Sequence, residues 1–106
     1  MTDPDPEVFN AALAFAIEWG PSFGQPIDER LQKRFPHLAP QEIREYARMV
    51  DEAKYHSFRE TERSYLGEEP EEPTLRSVYP FINDDNLAHL HTQGMYYAWK
   101  DHGDRR

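Results

Sequence analysis

The sequence predicts an all-α fold, a compact bundle of four helices over about 6–19, 26–35, 40–66 and 83–101. Three observations predict it. Apolar residues recur at helical rather than alternating spacing through most of the chain. Acidic residues, Asn and Pro stand where helices would begin, and Gly or Pro where they would end. The one stretch with extended character, Thr74 to Phe81, contains Pro80, which argues against a central strand.

The first helix opens at Asp5, a good N-cap, with Pro6 at the first helical position and Glu7 facing the helix dipole. It is expected to reach about Trp19, where Gly20–Pro21 forms a stop. From Val8 to Trp19 every residue except Asn10 and Glu18 is apolar, a stripe wider than one helical face. Such a helix is either central to the fold or half covered by a second subunit, and a central place is the favoured reading. Pro21 to Gln25 reads as a loop.

The second helix, Pro26 to about Phe35, carries Ile27, Leu31 and Phe35 at i, i+4 and i+8, with acids early and bases late. The third and longest runs from Pro40 to Leu66. Leu38 and Ile43 occupy the places of a hydrophobic staple, although Ala39 is a poor cap. Its buried stripe is expected to be Ile43, Tyr46, Ala47, Val50, Ala53, Ser57 and Phe58, the rest of its surface being charged and solvated. Gly67 caps its end. Residues 67–74 form an acidic connector, Glu68 to Pro73, in which like charges and two prolines disfavour helix and strand alike. Thr74 to Phe81 is expected to be extended.

The last helix opens at Asn83, with Asp84 and Asp85 at its positive end and Ile82 stapled to Leu87. Leu87, Leu90, His91, Gly94, Tyr97 and Ala98 form one expected face, and Ala88, Met95 and Trp99 an adjacent one. Gly94 in mid-helix costs ~1 kcal/mol against Ala, so a neighbouring helix is expected to approach closely there. The whole, 1–106, reads as a single domain with a tail at 103–106, the first and last helices forming its apolar centre and the third packed across them.

Composition narrows the function classes. Apolar residues are 38% of the chain, so the core must lean on six Phe, six Tyr and two Trp. There is no cysteine, which removes disulfides and thiolate metal sites and fits a reducing compartment. The first residues have no basic leader pattern, and the apolar run in the first helix is too short for a ~30 Å hydrocarbon layer. A cytoplasmic protein is therefore expected, with no membrane partner. The formal net charge of -8 repels phosphate backbones and favours encounter with basic partners.

Weighed as chemistry, most motifs fail. The turn between Ile27–Phe35 and Pro40 has a helix–turn–helix outline, but it would present Gln41, Glu42 and Glu45 to DNA, so no nucleic-acid partner is expected. Glu52, His56 and Glu60 share a helix face without the Glu-x-x-His spacing of di-iron bundles, and no metal or other cofactor is expected. Ser22, Ser57, Ser64 and Ser77 carry no nucleophile motif, and nothing names a substrate. The most distinctive stretch is Gln93 to Trp99. Consecutive helical residues lie ~100° apart, so Tyr96, Tyr97 and Trp99 cannot all face one core unless the helix is sandwiched. The leading expectation is a non-enzymatic acidic interaction module of the inhibitor, immunity-protein, antitoxin or adaptor type. Its partner would be another protein, or a second copy in a homodimer, held by Tyr96, Tyr97 and Trp99 with Tyr79 and Phe81 alongside. The alternative is a small-ligand or metal-binding helical domain using Tyr46, His56 and His91.

Overall fold

The computed structural model describes residues 4–18 and 26–103. Five helices occur among them and no strand: α1 (Pro6–Ala16), α2 (Asp28–Arg34), α3 (Pro40–Tyr65), α4 (Leu75–Val78) and α5 (Asp84–His102). The all-α class is thus correct, with a fifth, single-turn helix where an extended segment was expected. None of the helices among the described residues is long and apolar enough to cross a membrane. The expected stop at Gly20–Pro21, the loop over 21–25 and the tail beyond Gly103 lie outside the described residues. The chain divides into two compact units, Met1–Glu52 and Ala53–Arg106, with the boundary inside α3.

In the first unit α1 begins as its sequence dictates. The Asp5 carboxylate accepts the Glu7 N–H at 2.9 Å and Pro6 follows it. The helix ends earlier than expected, because Ile17 leaves helical geometry while its N–H still closes on the Leu13 carbonyl. This turn brings Glu18 to Arg30 of α2 at 2.7 Å, and the same guanidinium lies 4.3 Å from the centre of the Phe15 ring. Trp19, the expected end, lies outside the described residues. Ile27, Leu31 and Phe35 are all buried, as their spacing requires. Leu38 and Ile43 are buried too, and the poor cap Ala39 is compensated by Glu42, whose Oε1 accepts the Ala39 N–H at 2.9 Å. That back-reaching carboxylate is half of a capping box.

Tyr46 is only 3% exposed, and its hydroxyl accepts the Asp5 N–H at 2.8 Å. The bond ties the start of α1 to α3 within this unit. Replacing Tyr46 with Phe is expected to cost about 1 kcal/mol, the typical net worth of one hydrogen bond. Urea unfolding would read that loss, and amide exchange at Asp5 should quicken. An unchanged midpoint with unchanged exchange would refute the bond. On the outer surface Arg48 bridges Glu45 and Glu52. Its hydrogen bond to Glu45 holds that carboxyl below its ordinary value and pushes the guanidinium further up. The bridge is exposed, so its contribution to stability is small.

In the second unit α3 ends in a Schellman motif: the Gly67 N–H bonds the Ser64 carbonyl at 3.1 Å and the Glu68 N–H bonds the Arg63 carbonyl at 2.8 Å. Gly67 has φ of 74°, the left-handed conformation that this motif asks of its glycine. The acidic connector then folds onto the arginines at the end of α3. Arg63 Nε donates to the Glu69 carbonyl at 2.7 Å, and Arg59 is bonded to Glu71.

The expectation of an extended Thr74–Phe81 is corrected here. Thr74 caps a helical turn by accepting the Ser77 N–H, and the Leu75 N–H donates to Glu60 Oε2 at 2.5 Å. With its first donors satisfied, the segment closes as α4 and buries Leu75 and Tyr79. α5 opens at Asn83, whose side chain accepts the Asn86 N–H at 2.9 Å, and ends at Gly103. Its buried residues are Asn86, Leu90, Gln93, Gly94 and Ala98, so the inward face is turned from the expected one: His91 is exposed and Gln93 is not.

Candidate partner-binding groove on the second unit

Two helical stripes with the same spacing build the site. From α3 come Tyr55, Phe58, Arg59 and Glu62, and from α5 come Gly94, Tyr97, Ala98 and Asp101. Each set is i, i+3, i+4, i+7, one face of a helix over two turns. Together they line a groove of about 420 Å³.

Gly94 and Thr61 set its base. The Thr61 hydroxyl is turned onto its own helix, donating within reach of the Ser57 and Phe58 carbonyls at 3.1 and 3.0 Å. A Cβ at position 94 would fall 2.0 Å from that oxygen and 2.8 Å from Thr61 Cβ. The close approach expected at Gly94 is therefore present, and its partner is Thr61. Small residues at 94 and 98 leave the space that Phe58 and Tyr97 wall.

The rings run outward from these walls. Phe58 and Tyr97 meet edge to face at 5.4 Å and Tyr97 and Tyr96 at 5.5 Å, and Tyr96 and Trp99 lie tilted to one another at 6.2 Å. Exposure rises along the series, from half-buried Phe58 and Tyr97 to Tyr96 at 46% and Trp99 at 55%. On the opposite wall Tyr55 is 66% exposed, with the Arg59 guanidinium 5.6 Å from its ring centre. Partial burial, and then the neighbouring Tyr96, push the Tyr97 phenol above its ordinary value, so it stays neutral and able to donate.

The charges at the mouth are unequal. Among the described residues Arg59 is the one cation lining it, and Glu71 already holds that guanidinium. Glu62 meets His102 Nε2 at 2.8 Å, and the His102 ring stacks on Tyr65. Asp101 has no ion-pair partner among the described residues.

The expected site residues are distributed as follows. Tyr96, Tyr97 and Trp99 are brought together. Tyr79 and Phe81 pack edge to face at 6.2 Å as a separate pair, with Tyr79 buried. Of the alternative set, Tyr46 lies in the first unit, bonded to Asp5. His56 faces Glu60 at 3.3 Å, and His91 is exposed. None of the three lines the groove, nor a second hollow of about 390 Å³ in the first unit between Asp28 and Arg44. Among the described residues no three His, Cys, Asp or Glu side chains are gathered as metal ligands would be. Sequence reasoning missed Tyr55. Its signal was present, because it is a large ring placed between Lys54 and His56, off the buried stripe of Ala53 and Ser57.

In comparisons with known proteins, no family model, no curated protein and no solved structure matches this chain.

Proposed function

We propose that this protein is a non-catalytic interaction module whose docking surface is the aromatic face of its second unit. One observation carries the reading: Tyr55, Tyr96 and Trp99 are large, exposed rings. Tyr55 lines a groove with Phe58 and Tyr97, and Tyr96 and Trp99 continue from Tyr97 in ring contact over the outer face of α5. Contiguous exposed apolar surface marks interaction sites, and Tyr and Trp are the residues that most often anchor them. The partner is another protein or a second copy of the chain, in the manner of an inhibitor, an immunity protein, an antitoxin or an adaptor. A net charge of -8 favours a basic partner, and the absence of cysteine suits work in the reducing cytoplasm. A small apolar ligand is the second reading, supported by a groove volume within the ~300–1,000 Å³ typical of ligand sites.

The test is the double variant Tyr96→Ala/Trp99→Ala. Exposed positions of this kind usually cost about 0.5 kcal/mol or less each, so the variant should unfold within about 1 kcal/mol of the parent. It should lose partners that the immobilised parent chain retains, and any concentration-dependent mass seen in light scattering. The same partners and masses from both chains would remove the reading, and collapse of the fold would show the rings to be core.

A further inference from the structure

We infer that the occupant of this groove is a short amphipathic helix of another protein that carries lysine or arginine beside its apolar side chains. The inference rests on the docking reading above and adds the shape and charge of the partner. Shape comes from the walls. Tyr55 to Glu62 on α3 and Gly94 to Asp101 on α5 each offer matched i, i+3, i+4, i+7 stripes, spanning about 10 Å at 1.5 Å per residue. A third helix whose apolar residues follow the same spacing lays them along that length, which is how amphipathic helices fill hydrophobic grooves.

Charge selects the flanking residues. Arg59 is held by Glu71 and Glu62 by His102, while Asp101 has no ion-pair partner among the described residues. Tyr55, 66% exposed, lines the same groove, and its ring face attracts a cation. A glutamate-bearing helix would meet like charge at Asp101. A lysine-bearing one finds a carboxylate and a ring face within the same mouth.

The experiment uses the full chain and three synthetic peptides of about 15 residues, the length at which an isolated helix becomes marginally stable. The first has leucines at i, i+3, i+4 and i+7 among lysines and alanines. The second replaces its lysines with glutamates. The third keeps the lysine content and hydrophobicity but is interrupted by prolines. Backbone amide shifts at Tyr55, Tyr97, Ala98 and Asp101 locate binding. The lysine–leucine peptide should shift them saturably and bind at least about tenfold more tightly than its glutamate counterpart. Added salt should narrow that preference. Asp101→Asn should weaken the lysine peptide about threefold with the spectrum of the free chain otherwise preserved.

Equal or tighter binding of the glutamate peptide at these amides would overturn the basic partner while leaving the docking reading standing. Equal binding of the proline-broken peptide would overturn the helix. No shift with any peptide would overturn the inference entire, and the Tyr96/Trp99 variant then decides the docking reading independently.

Discussion

Gly94→Ala is expected to destabilise the protein, although the same change in an exposed helix interior would stabilise it by ~1 kcal/mol. The added methyl would meet Thr61 Oγ1 at 2.0 Å, Cβ at 2.8 Å and Cγ2 at 2.9 Å. Rotating the threonine moves two of these atoms but not its Cβ, which is fixed to the helix backbone. The helices must therefore shift, and overpacking of this kind costs about 1–3 kcal/mol. Set against the propensity gain, a net loss of up to about 2 kcal/mol remains, which lowers Tm by up to about 10 °C for a chain of this size. Thermal unfolding followed by circular dichroism measures it. Thr61→Ala should be mild alone and should recover part of the loss in the double variant, a coupling that independent sites would not show. Because Gly94 also lines the groove, amide shifts at Tyr97 and Ala98 should move with the stability. An alanine variant more stable than its parent would mean that α3 and α5 do not meet at this point.

What could be read from the chain follows the distance over which each interaction acts. Caps are local, and Asp5, Asn83 and Gly67 perform the roles their neighbours in sequence imply, while Leu38 and Ile43 are both buried. The buried stripe of α3 was legible even at Ser57, a polar residue, because spacing placed it. The missed elements depend on partners far along the chain. α4 is held by a carboxylate fifteen positions earlier, since Glu60 takes the Leu75 N–H, and no local rule predicts that donor's acceptor. The acidic connector reads as a region without structure until Arg59 and Arg63 supply its counter-charges.

On α5 the error was one of phase. Leu90, Gly94 and Ala98 suit either of two adjacent faces, and a ranking by hydrophobicity puts His91 before Gln93. The helix chose Gln93, whose amide meets His89 one turn earlier at 3.2 Å. Of the candidate site, the cluster at Tyr96, Tyr97 and Trp99 was legible as a surplus of rings on one helix. The opposite wall was only half legible: the sequence puts the Tyr55 ring off the buried stripe among charges, but what it faces depends on α5, far along the chain from it.

Phe9→Ala is expected to be among the most damaging substitutions in the first unit, and Phe15→Ala far milder, although the two rings lie on the same helix. Phe9 is fully buried in a row with Val8, Ala12, Leu13 and Ala16. Emptying such a site costs about 3–5 kcal/mol, the lost transfer energy plus the cavity left behind. Against a usual total of ~5–15 kcal/mol, that brings the native state close to its limit at 25 °C. Phe15 is half-buried and covered on one face by Arg30, which Glu18 holds at 2.7 Å. Its removal forfeits partial burial and one cation–π contact, together about 1–2 kcal/mol.

Urea midpoints of the two variants separate these cases, and they also settle how the apolar excess of α1 is used. In sequence, an almost wholly apolar helix points to a central element or to cover from a second subunit. In the structure the outward part of that excess is Ala14 with half-buried Ala11 and Phe15, small side chains and one ring shielded by an arginine. α1 thus asks for little further cover over its described length, whereas Tyr55, Tyr96 and Trp99 are 66%, 46% and 55% exposed. Equal losses from the two phenylalanines would place the helix in another phase and return α1 to the candidates for an interface. A large gap between them leaves the aromatic face of the second unit as the surface from which association is to be sought.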